Sequence, residues 1–147
     1  ACYLLQGGDE YAVIETGTHN TVPIILSLLE QRSIERGQVK FVIPTHVHLD
    51  HAGGVGGLMQ ALPAATLLVH PRGARHMIDP SKLKAGATAV YGDDAFATVD
   101  GDIITVDAPR VREMHQGDHG MVGARRPDVH DTARHARTHL CAYHSPP

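Results

Sequence analysis

Aromatic residues are scarce: among 147 residues there is no Trp, and there are only two Phe and four Tyr. Cysteine is scarcer still. Cys2 and Cys141 lie at opposite ends of the chain, so the disulfide framework of a small secreted protein is not expected. Two free thiols in a reducing, cytoplasmic compartment are the expectation. No stretch approaches the roughly 20 consecutive apolar residues that span a bilayer, which leaves no membrane-crossing helix to expect. A large excess of one charge sign is also missing. The 13 basic and 16 acidic side chains give a net charge of −3, which argues against a broad nucleic-acid-binding surface. The opening Ala1-Cys2-Tyr3-Leu4-Leu5 lacks the charged region and apolar core of a signal peptide, and it lacks an initiator Met. A processed chain or a piece of a longer one is expected.

Histidine is what the chain has in surplus. There are 12, and protonating all of them would move the formal charge from −3 to +9. Hydrophobic residues at 42% and charged residues at 20% match an ordinary globular domain, and the length suits one domain.

Cys2 to Leu5 and Ala12 to Glu15 are short apolar runs around Gln6-Gly7-Gly8-Asp9-Glu10, which predicts a β-hairpin. Val22, Ile25, Leu26 and Leu29 recur at helical spacing, predicting a helix from about Asn20 to Arg36 that Gly37 ends. Val39 to Ile43 and Thr66 to Val69 read as buried strands. Leu58 to Leu62 reads as a helix stopped by Pro63, and Pro71 to Met77 as a short helix. This alternation predicts an α/β fold with both sheet faces covered. Further on, Ile103 to Val106 and Val129 are expected in strands and Gln116-Gly117-Asp118 in a turn. Asp93-Asp94 is expected to start a short helix through Phe96. Residues 109–147 carry dense Arg and His and no long apolar run, so less order is expected there.

The chemistry concentrates in Thr45-His46-Val47-His48-Leu49-Asp50-His51, directly after the Val39–Ile43 run. In extended chain His46 and His48 project to the same side, because side-chain direction has period two. Two neutral imidazoles on one side form half of a tetrahedral zinc shell. Asp50 and His51 follow where the chain must turn, placed to address a second ion. Isolated histidines at such positions are ordinarily solvated polar residues; three with an acid at the end of a buried strand point to metal.

These residues carry the H-x-H-x-D-H signature, and the chain resembles the metallo-β-lactamase superfamily. The likeness extends over most of residues 2–141. Tyr3 to Thr18 resembles the family's opening hairpin, with Glu15-Thr16-Gly17 where many members have Asp-x-Gly. Ala52 to Gly57 resembles its glycine-rich lead into a helix. His70-Pro71-Arg72-Gly73-Ala74-Arg75-His76 and the stretch from Pro80 to Phe96 resemble a bacterial subgroup akin to glyoxalase II. The resemblance implies an αββα sandwich of mixed α+β character, of which this chain would be the N-terminal part. It implies that His46 and His48 hold a first zinc, and that Asp50 and His51 hold a second. The family's third first-site histidine is best matched by His135, with His139 as a substitute. Its usual Pro-Gly is Ala133-Arg134 here, and its later bridging Asp and last His find no counterpart. A sheet face left bare in this way is expected to be covered by a partner chain, such as a second copy.

The implied activity is zinc-dependent hydrolysis of a small-molecule carbonyl compound, a thioester, lactone or amide. Metal-bound hydroxide would attack and Asp50 would orient the water. An inactive metal-binding fragment is the competing class, and a di-iron redox relative is a third; iron or manganese in place of zinc stays open. Other features read plainly. Gly53-Gly54-Val55-Gly56-Gly57 lacks the P-loop Lys and the dinucleotide-binding spacing, so close packing at a helix start is expected. His115, His119, His130 and His144 are expected in solvent, as is Arg125-Arg126.

Overall fold

The computed structural model describes residues 1–92, 102–132 and 136–143. The expected helix start at Asp93-Asp94 lies outside them. Strands β1 (Tyr3–Gly7) and β2 (Glu10–Ile14) form the expected hairpin, turning through Gly8 at φ +62°. Helix α1 (Val22–Gln31) leads to β3 (Val39–Ile43), then to α2 (Leu49–Ala52) and α3 (Val55–Ala61). Next come β4 (Thr66–Val69), α4 (Pro71–Ile78), α5 (Ser81–Tyr91) and β5 (Val111–Glu113). The five strands make one sheet in the order β1-β2-β3-β4-β5, antiparallel at β1–β2 and parallel elsewhere. Strands β6 (Asp128–Asp131) and β7 (Leu140–Tyr143) pair antiparallel in a separate two-stranded sheet.

Parallel strands need crossovers, and the helices supply them on one face of the sheet. Val22, Ile25 and Leu29 of α1, Val55, Leu58 and Met59 of α3, and Ala74 and Met77 of α4 bury against Val13, Val42, Leu67 and Val69. On the other face, Ala12, Ile43 and Leu68 meet Met114, Val122, Val129 and Leu140. The chain's own residues after β5 therefore pack on the face expected to be bare. Among the described residues no helix is long and apolar enough to cross a membrane.

Two expectations need correction. Helix α1 ends at Gln31, well before Gly37. Ser33 takes the left-handed conformation at φ 56°, and Ser33 N and Ile34 N donate back to Glu30 O and Leu29 O at 2.9 Å. That reversal returns Ile34 to the core, a gain that outweighs the usual reluctance of a non-glycine residue. Ile103 to Val106 is not a strand. Its two β-branched anchors, Ile103 and Val106, are buried without joining the sheet, and Val106 N donates to Met77 O instead. The edge position goes to Val111–Glu113, whose apolar signal is a single Val.

The glycine-rich lead packs as expected. A Cβ on Gly56 would lie 2.0 Å from Ile104 O, a backbone atom that cannot swing aside. Gly56→Ala is expected to destabilise by about 1–3 kcal/mol in urea unfolding. Gly86→Ala in α5, where a Cβ meets nothing within 4 Å, is expected to stabilise by about 0.5–1 kcal/mol through helix propensity.

Candidate metal centre

Strand β3 ends at Ile43, and the segment from Pro44 to His48 carries the histidines across the carboxyl ends of the parallel strands, where α/β sheets bind ligands. His46 is buried at 3% exposure, and three other imidazoles gather around it. Ring centroids lie 4.6 Å away for His48, 4.1 Å for His51 and 5.4 Å for His139. Burial pushes the His46 pKa down from 6.5 to about 4, reinforced by His51 and His48 and opposed by Glu15. His46 is therefore a neutral imidazole across the neutral range, the form that binds metal.

The end of β2 grips this loop. Glu15, 6% exposed and at φ 66°, accepts a hydrogen bond from Thr45 N at 2.8 Å through Oε1. Its Oε2 lies 2.6 Å from His51 Nδ1. Thr16 N and Thr16 Oγ1 both donate to His51 O, at 2.9 and 3.0 Å. Two further rings are anchored in the same manner. His46 Nδ1 lies 3.0 Å from Thr45 Oγ1, and His139 Nδ1 lies 2.6 Å from Thr132 Oγ1. Three histidines thus have Nδ1 held by an oxygen, and metal-binding histidines are oriented by such partners.

His139 reaches the cluster because β7 begins against the loop: Leu140 N donates to Thr45 O at 2.7 Å, and Val47 N to Thr138 Oγ1 at 3.4 Å. Asp50, in the first turn of α2, is 74% exposed, with Oδ2 3.3 Å from His51 Nε2. The structure thus brings His46, His48, Asp50, His51 and His139 together, while His135 lies outside the described residues. Among the described residues, no three His, Cys, Asp or Glu side chains converge closely enough to hold an ion as they stand. The donor set nevertheless suits zinc: imidazoles with a carboxylate beside them, three of the rings backed by an oxygen.

The residues 1–145 match the model of the metallo-beta-lactamase superfamily. The chain belongs to that superfamily. Its fold is also similar to solved members. It superposes on BJP-1, a subclass B3 metallo-beta-lactamase of Bradyrhizobium japonicum, with TM-score 0.74 and 18% identity, covering 100% of this chain and 51% of that one. An enzyme of Cronobacter sakazakii with a HARLDQ motif gives TM-score 0.70 and 19% identity, over 95% of this chain and 50% of that one. A B3 metallo-beta-lactamase described as the first with an active-site glutamic acid gives 0.74 and 25%, over 93% and 47%. The chain spans about half the length of these structures. Two of the three are B3 metallo-beta-lactamases.

Glu15, Thr45 and Thr132 were not assigned roles from sequence. The Glu15-Thr16-Gly17 signal was visible as a family position, but nothing local shows that its carboxylate reaches residue 51. Glu15→Gln removes the negative charge from the His51 anchor while keeping the shape. It is expected to weaken zinc binding by about 10–100-fold in competition titration, as loss of an outer partner does.

Proposed function

We propose that this chain is a zinc-dependent hydrolase domain for small-molecule carbonyl compounds, with thioesters, lactones and amides as the substrate class. The observation that carries this reading is the anchored imidazole cluster at the carboxyl end of β3. His46, His48 and a later histidine hold one ion, and Asp50 and His51 hold a second. For that later histidine, the 5.4 Å ring approach and the Thr132 anchor support His139. Bound zinc would acidify water and polarise a carbonyl, chemistry that no side chain of the cluster supplies alone. The protein's own part is positional. Glu15 fixes the His51 ring, Thr45 fixes His46, and the solvent-facing Asp50 carboxylate orients the attacking water. The exposed thiols of Cys2 and Cys141 agree with a reducing, cytoplasmic setting.

A second reading, metal binding without turnover, draws support from Asp50, whose side chain is 74% exposed. Zinc stoichiometry by mass spectrometry, with thioester and lactone panels, separates the two. Two tightly held ions with turnover that His48→Ala removes support the hydrolase. Substoichiometric zinc without turnover supports the second reading. Zinc content and hydrolysis both unchanged in His48→Ala would sink the site altogether.

A further inference from the structure

His70 is buried at 6% exposure, and the hydrolase reading gives it no role. It stands between β4 and α4 as the cap of that helix: Arg72 N donates to its Nδ1 at 3.0 Å. That bond fixes the tautomer. Nδ1 accepts, so the proton of the neutral ring sits on Nε2. Nε2 in turn faces Asp131 Oδ2 at 3.4 Å, across 61 residues of chain. A cap alone needs one acceptor, which Asn, Asp or Ser supplies. The second nitrogen, on the far side of the ring, is what an imidazole adds. Asp131 ends β6, and the next residue holds His139: Thr132 Oγ1 lies 2.6 Å from His139 Nδ1, and Thr132 N donates to His139 O at 3.1 Å. The first turn of α4 also packs against both arms of the site. A Cβ on Gly73 would lie 2.7 Å from Val47 Cγ1, between His46 and His48, and 3.8 Å from Thr138 Cβ, beside His139.

We propose that His70 is a positioning residue of the metal centre: through Asp131 it seats the end of β6, and with it the Thr132–His139 pair, beside the loop that carries His46 and His48. The inference rests on the proposed function in one respect, that His139 serves as a zinc ligand. A ligand already in place binds without the cost of ordering it. Loss of the His70–Asp131 contact frees the strand end in the metal-free chain, and zinc must then order it again.

Zinc titration of the full chain against a chelator is the test. Asp131→Ala is expected to weaken zinc binding about fivefold to tenfold, the worth of one hydrogen bond to a half-exposed carboxylate. Asp131→Asn keeps an oxygen for the Nε2 proton and is expected to stay within about twofold of the unaltered chain. His70→Asn keeps the α4 cap but falls short of Asp131. It is expected to match Asp131→Ala, and the double variant to bind no more weakly than either. A merely structural role would lower the melting temperature in EDTA and leave the zinc dissociation constant, measured well below it, unchanged. Unchanged affinity in Asp131→Ala, or additive losses in the double variant, overturns the proposal. Hydrogen exchange of the metal-free chain reads the seat without zinc. Protection of the Thr132 and Leu140 amides is expected to fall in Asp131→Ala, while that of Ala74 in α4 holds. Should the unaltered chain take up no zinc, the metal-centre reading fails and exchange alone decides: a fall confined to Thr132 and Leu140 supports the seat, and no fall overturns it. Weakened zinc binding in Asp131→Ala, with no turnover by the unaltered chain, supports the positioning role and counts against the hydrolase reading.

Discussion

His46→Ala is expected to lower zinc affinity by more than the about 100-fold that loss of an outer-shell partner can cost, and hydrolysis to fall to background. The reason is its place in the cluster. His46 is the ring that the other three approach, within 4.1 Å for His51, 4.6 Å for His48 and 5.4 Å for His139. Removing it takes away the neutral imidazole common to every pair, and His48 and His139 lose the ring between them. Replacing His130 is the control. It is exposed on β6, its Nδ1 lies 3.1 Å from Gln116 Nε2, and no change in zinc binding is expected. Zinc titration against a chelator checks the affinity. Melting curves in EDTA show whether the His46→Ala chain still folds, which separates loss of a ligand from loss of the domain.

Acidification of the metal-free chain is expected to cost about 3 kcal/mol of stability between pH 6.5 and pH 4. The folded His46 pKa is depressed to about 4 from an ordinary 6.5, first by burial and then by His51 and His48. Between those values the unfolded chain takes up a proton that the folded one refuses. His46's full contribution is therefore present above about pH 6.5, and it is lost as pH falls toward 4. Urea unfolding at pH 7.5, 5.5 and 4.5 measures the slope. His46→Gln is expected to flatten it, since an amide does not titrate. An unchanged slope in His46→Gln would assign the acid lability to other groups.

Local pattern made the first half of the chain legible. Apolar runs of strand length at residues 39–43 and 66–69 gave the parallel strands within a residue. The glycines after His51 were read correctly as packing positions, because neither a phosphate-binding lysine nor the right spacing accompanies them. The end of α1 escaped because Ser33 is not a residue type that announces a left-handed cap. Strand β5 escaped because its three residues hold one apolar side chain, and its place at the sheet edge follows from its neighbour β4.

Sequence by itself determined the family and the segment that holds most of the candidate ligands: His46, His48, Asp50 and His51 stand within six residues, so the chain's own geometry keeps them together. Tertiary structure alone decided the rest of the site. Glu15 is 36 residues from His51, and His139 is 93 residues from His46; no local periodicity encodes either approach. Both follow from long-range pairing. Parallel alignment of β2 with β3 brings the Glu15 carboxylate over the loop, and the hydrogen bond from Leu140 N to Thr45 O seats His139 beside His46. Which polar atoms end up facing one another is set by burying the two faces of one sheet, and that is a property of the whole fold.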